Sequence, residues 1–233
     1  MSKLVRTETV SSFDSVYAHG YDKAYPSLDL VRLERWFFER KPGKVLDYGC
    51  GPGTNGLHLL DLGYQVTFVD VSRQALKKTQ AKIAQRPQRK TEARVALIDP
   101  NADTLAYADD EFDYLICLSV LSNLETEDRI RWLLREFVRV LKPNGKAIVD
   151  INGPDATYVA QGVAIGENTY DTVPSREHGG APVRMYFSPS GESFAKLVSS
   201  VEGLSVVDVG QCTFAYFGHE DTEYIVCAQK AQE

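Results

Sequence analysis

Two acidic residues, Asp47 and Asp70, frame the stretch of this 233-residue chain with the most evident chemistry. Asp47 closes the apolar run Lys44-Val45-Leu46-Asp47, and after Tyr48 comes a glycine-dense turn, Gly49-Cys50-Gly51-Pro52-Gly53. Asp70 closes the next apolar run, Val66-Thr67-Phe68-Val69-Asp70, ahead of Val71-Ser72. Glycines at such a turn let the chain bend sharply and let a ligand touch the main chain. A literal G-x-G-x-x-G spans Gly51 to Gly56 and, taken alone, suits a dinucleotide. The carboxylates favour a different ligand. A pyrophosphate on this turn would lie near the Asp47 charge, whereas an ammonium or sulfonium would be attracted to it. Asp70, at the end of the second strand, can accept both hydroxyl hydrogen bonds of a ribose. An adenosine with a positive tail meets both conditions, and S-adenosyl-L-methionine is such a molecule. Local roles stay open for both acids: Asp47 capping the turn, and Asp70 placing charge at a helix N-terminus.

Holding these residues requires alternating strands and helices. Residues 44–47, 65–70, 93–98, 112–118 and 146–151 read as strands, and 54–62 as a helix ended by Gly63. Ser72 suits the N-cap of a helix running to about Gln85, stopped before Pro87. The clearest helix is Glu125 to Leu141, with Ile130, Leu133, Leu134, Phe137, Val138 and Leu141 on one face. Ser190 caps a further helix to about Val201, and 204–209 and 223–228 are the last strands. Repeated β-α-β units predict a doubly wound, mostly parallel α/β sheet with helices on both faces. Residues 11–40 read as one or two helices, and 152–188, with several glycines and three prolines, as a long loop above the carboxyl ends of the strands. The expected organisation is one domain overall: an N-terminal helical lid (1–43) and a core (44–233) with a substrate-region insertion at 152–188.

Composition narrows the partners. Lys+Arg 26 against Asp+Glu 32 gives a net charge of −6, which provides no general attraction to a phosphate backbone. A helix face bearing Lys77, Lys78 and Lys82 is most simply solvated. Four scattered cysteines without a C-x-x-C pair read as reduced thiols, and no apolar leader or membrane-length run is visible; a cytoplasmic setting is expected.

The chain resembles the class I S-adenosylmethionine-dependent methyltransferases of the small-molecule branch. Residues 45 to 53 are similar to that family's first motif, and Asp70 to its ribose-binding acid. Asn101-Ala102-Asp103-Thr104-Leu105-Ala106-Tyr107 resembles its D-A-x-x-L-P-F segment, with Asn101 for Asp and Ala106 for Pro. Asp110 to Ile116 resembles its fourth strand, and Lys142-Pro143-Asn144-Gly145-Lys146 the turn before its fifth. The resemblance implies a seven-stranded, Rossmann-like sheet with an antiparallel last strand. It also implies a cofactor site drawn from Tyr21, Asp47, Gly49, Cys50, Gly51, Gly53, Asn55, Asp70, Val71, Asn101, Ala102 and Leu118, with adenine at Asn101 and Ala102. Where the family usually carries a His after strand four, this chain has Ser122-Asn123.

The expected reaction is in-line methyl transfer to oxygen or nitrogen of a small molecule. No convincing general base is visible; His178 is the candidate if it faces the pocket. Tyr158, Tyr170, His178, Arg184 and Tyr186 are expected around the acceptor, and Tyr21, from the cluster Tyr17, His19, Tyr21 and Tyr25, near the methionine end. Two rivals stay open: a nicotinamide-dependent oxidoreductase, and a protein that binds S-adenosylmethionine without catalysis.

Overall fold

The structure, a computed structural model, describes residues 6–216 and 219–232. Two helices, α1 (Thr7–Ala18) and α2 (Leu28–Trp36), precede an alternating core. The core runs β1 (Lys44–Tyr48), α3 (Thr54–Asp61), β2 (Gln65–Asp70), α4 (Arg73–Ala84), β3 (Ala93–Leu97), β4 (Phe112–Cys117), α5 (Glu127–Val140) and β5 (Leu141–Asn152). After α6 (Thr157–Ala160) come β6 (Val163–Gly166), β7 (Thr169–Thr172) and β8 (Val183–Tyr186), then α7 (Gly191–Ser199) and the hairpin β9 (Leu204–Tyr216) and β10 (His219–Lys230).

Seven strands form one sheet in the order β3-β2-β1-β4-β5-β10-β9. β1 pairs in parallel with both β2 and β4, and β10 runs antiparallel to β5. The expected Rossmann-like sheet with an antiparallel last strand is therefore present. Its central strands are apolar on both faces: Val45, Leu46, Leu115, Ile116 and Ile148 are fully buried, as helices on both sides of a parallel sheet require. Chain order reverses at β1, whose neighbours are β2 and β4, and the crevice outside the strand ends there is where such sheets bind ligands. The helix caps follow the sequence: Ser72 Oγ accepts from Ala75 N, and Ser190 Oγ from Ser193 N.

Two stretches differ from expectation. Residues 152–188 are not a loop throughout, since β6, β7 and β8 form a second, antiparallel sheet with a small core of Val183, Met185 and Phe187. Four-residue strands broken by glycine and proline are too short to show a period of two. The last hairpin is also longer than expected. β5 stops at Asn152, paired with Glu223, while β9 and β10 continue to pair with each other beyond it.

The N-terminal segment divides. Ser12 Oγ of α1 donates to Ala181 O (2.8 Å) and accepts from Ala181 N (3.0 Å). Asp14 accepts from Ser72 Oγ (2.6 Å), so α1 spans from α4 to the chain leading into β8. α2 instead buries Leu30 against the core, and its Glu34 accepts from Tyr64 Oη at 2.9 Å.

Candidate cofactor and acceptor site

The turn after β1 is stitched to the end of β2. Gly49 N and Cys50 N both donate to Val69 O, at 2.8 and 2.9 Å. Gly51 N donates to Asp70 Oδ2 (2.8 Å), and Ser72 N to Asp70 Oδ1 (2.7 Å). Each carboxylate oxygen of Asp70 keeps lone-pair capacity for a further donor. Gly49 sits at φ 70°, and a Cβ there would lie 2.3 Å from Val120 Cγ2. A Cβ on Gly51 would lie 2.9 Å from the Tyr17 hydroxyl, so α1 lies close over the turn.

Asp47 stands behind the turn, buried, with Oδ2 accepting from Gly56 N at 3.0 Å. Burial raises its pKa to about 7; the Gly56 hydrogen bond and Lys23 act the other way. Asp70 is lifted to about 6, again by burial, against its three backbone hydrogen bonds. Both acids gain from a cation nearby.

Tyr17, Tyr48, Gly49, Asp70, Val71, Ile98, Ser119 and Asn123 contribute to the walls of a cavity of about 530 Å³. The lining suits an adenosine: Asp70 for sugar hydroxyls, Val71 and Ile98 as apolar walls for a base. Two buried polar atoms on these lining residues, Tyr48 Oη and Asn123 Oδ1, have no hydrogen-bond partner among the described residues. Such atoms are costly until a ligand or water meets them.

A second cavity of about 700 Å³ shares Phe13, Tyr17, Ser119 and Asn123 with the first. Tyr21, Asn152, Tyr158, Pro174, Met185 and Glu223 complete most of its wall. Ser119, at the junction, is positioned by its N–H donating to buried Asp150 Oδ1 at 2.6 Å. Burial and the facing Glu223 hold the Asp150 pKa well above the carboxylate range.

Of the residues singled out in the sequence, Gly49, Asp70 and Val71 line the first cavity and Tyr21 the second. Gly51 and Gly53 shape the turn. Gly51 O accepts from Thr79 Oγ1, and Gly53, at φ 81°, precedes α3. Cys50 is buried and burial pushes its thiol pKa far up, so it is no nucleophile. Asn55 Oδ1 accepts from Ser27 N (2.9 Å), tying α3 to the chain entering α2. Leu118 is core, with Ser119 beside it at the cavity. Asn101 is exposed and its amide donates to Asp99 Oδ1 (3.2 Å); neither it nor Ala102 lines the cavity, where Ile98 stands instead. His178 Nδ1 lies 2.9 Å from Ser175 Oγ and its ring meets Tyr21 edge-on, outside the cavity wall. Among the other expected acceptor residues only Tyr158 lines the cavity. Tyr170 packs on Phe187, Arg184 pairs with Asp171, and Tyr186 Oη donates to Glu127.

Residues 45–145 match the model of a methyltransferase domain. These residues are therefore similar to a methyltransferase domain. That likeness implies S-adenosyl-L-methionine as the cofactor rather than a dinucleotide. The chain is 34% identical over 138 residues to the methyltransferase GfsG of Streptomyces halstedii, spanning 58% of this chain and 48% of that one. It is 25% identical over 156 residues to the putative methyltransferase YqeM of Bacillus subtilis, spanning 62% and 61%. These matches thus span less than two thirds of either relative. In fold, the chain is similar to a Burkholderia thailandensis 1,6-didemethyltoxoflavin N1-methyltransferase solved with S-adenosylhomocysteine: TM-score 0.66, 19% identity, 97% of this chain and 88% of that one covered. No helix among the described residues is long and apolar enough to cross a membrane.

Sequence reasoning missed Phe13 and Glu223. Both are far from the glycine turn in sequence, and neither carries a local pattern that marks it.

Proposed function

We propose that this chain transfers a methyl group from S-adenosyl-L-methionine to oxygen or nitrogen of a small molecule, by in-line displacement. One observation supports this above the rest: the cavity bordered by Asp70 and Gly49 shares four lining residues with a second cavity walled by α1 and the 152–188 segment. When bound, the cofactor supplies a methyl group already activated on a sulfonium. The protein's part is then alignment, which can lower the barrier by about 7–11 kcal/mol.

Asp70 holds the ribose, and the turn from Gly49 to Gly53 brings main chain against the amino-acid tail, with Asp47 providing negative potential behind it. α1 acts as the lid, through Phe13, Tyr17 and, on the following loop, Tyr21. The 152–188 insertion shapes the acceptor side. The net charge of −6 supports a small molecule over a polynucleotide, and the free thiols support a cytoplasmic setting.

Calorimetry should show S-adenosylmethionine binding with no comparable binding of NAD, and an acceptor panel should release S-adenosylhomocysteine. Tight NAD binding without S-adenosylmethionine binding would end this reading. Tight cofactor binding with no release on any acceptor would make the protein a sensor.

A further inference from the structure

The second cavity combines aromatic walls with hydrogen-bond acceptors. Phe13, Tyr17, Tyr21 and Tyr158 supply the rings. Asn123 Nδ2 donates to Ser119 O (3.2 Å), and in that orientation its Oδ1 is buried with no donor among the described residues. Glu223, opposite Asn152 in the β5–β10 register, lines this cavity and the outer one beside it. Among the described residues its carboxylate makes no hydrogen bond or ion pair.

The ionisable groups around Glu223 are mostly acidic. Asp150 faces it from β5, Asp29 from α2 and Asp221 from β10, against Lys23 from the chain between α1 and α2. Lys23 also faces Asp47, so one ammonium is shared among several carboxylates. Arg176 lines the outer cavity, not the one that joins the cofactor site. Ring faces beside an unpaired carboxylate attract a cation, and an amide oxygen without a donor needs an N–H or O–H.

We propose that the acceptor is an amine, held with its nitrogen between Glu223 and Asn123 Oδ1 against the tyrosine rings, and that the methyl group goes to that nitrogen. The assignment rests on the methyltransferase reading above. Glu223 takes a proton from the arriving ammonium. The freed nitrogen lone pair bonds to the methyl carbon while the carbon–sulfur pair stays with sulfur, leaving an N-methylammonium and S-adenosylhomocysteine. The proton on Glu223 passes to water.

The test uses protein loaded with S-adenosylhomocysteine and amines of graded size, each paired with the alcohol and the carboxylic acid of the same skeleton. Benzylamine, benzyl alcohol and benzoic acid are the smallest set. Calorimetry should show the best amine binding at least tenfold more tightly than its two counterparts. Glu223→Gln should remove that preference with S-adenosylhomocysteine affinity unchanged, and Glu223→Asp should restore part of it. Alcohols or acids binding as well as amines, or a preference that survives Glu223→Gln, overturns the proposal. Failure of S-adenosylhomocysteine itself to bind overturns the methyltransferase reading, and the amine assignment with it; intact cofactor binding without amine preference overturns the amine assignment alone.

Discussion

At the end of β2, both oxygens of Asp70 accept backbone N–H groups, and the turn above it is tied down by two further N–H groups on Val69 O. Opposite the end of β5, Glu223 of β10 faces its cavity with its carboxylate unbonded among the described residues, walled by a small sheet of four-residue strands and by α1. The first region is organised by main chain before any ligand arrives. The second presents side chains whose neighbours come from distant segments. Pre-organisation on the cofactor side conserves binding energy for a common ligand, while a side-chain-built pocket can be altered without disturbing it.

The difference can be broken most severely at Gly49. Gly49→Ala should destabilise the protein by about 2–5 kcal/mol, the sum of positive-φ strain and overpacking against Val120. Thermal melting and calorimetry should show lower stability together with lost cofactor affinity. Asp70→Asn places an amide N–H2 against one of two backbone donors and removes the charge. Its cofactor affinity should fall about 10–100-fold, as loss of a charged hydrogen bond implies.

On the acceptor side, Ser12→Ala leaves both the N–H and C=O of Ala181 without their side-chain partner. It should cost about 1–2 kcal/mol locally. Hydrogen exchange should speed up in residues 7–18 and 178–186, while the amides of Gly49 and Gly51 keep their protection. Equal exposure of both regions would show that the two halves are one cooperative unit.

Titration sharpens the contrast further. Asp47 at about 7 and Asp70 at about 6 both lie above their ordinary value of 3.8. Their stabilising contribution is full below that ordinary value and is lost as pH rises through 6–7 in the unliganded protein. A cationic ligand needs them ionised, so cofactor affinity should rise several-fold from pH 5.5 to 8. Unliganded Asp47→Asn should gain in melting temperature on the unsubstituted protein over the same interval; parallel curves would show that Asp47 does not titrate there. The smallest effect is expected from Asn101→Ala, whose amide faces Asp99: about threefold or less in cofactor affinity, below 1 kcal/mol. A loss beyond tenfold would return Asn101 to the adenine site.

How far the sequence could be read follows from distance along the chain. Asp47, the glycine turn and Asp70 lie within one β-α-β unit, where local chirality and strand pairing leave little choice of geometry. The helix caps at Ser72 and Ser190 are equally local. Asn101 shows the limit: the segment has the residue types for an adenine contact, yet a neighbour two positions back takes its amide. His178 and Tyr21 were visible as chemistry, and the structure brings their rings together while placing only Tyr21 on the cavity wall.

Apolar runs, glycines and strand-end acids by themselves determined the sheet, its switch point and the acid-framed turn beside it, because each depends on contacts between neighbouring elements. Only the tertiary structure decided what lines the second cavity. Phe13, Tyr158 and Glu223 come from three distant parts of the chain, and their meeting depends on how α1 and the small sheet dock over the strand ends. Side-chain packing between elements far apart in sequence leaves no periodic trace in any one of them.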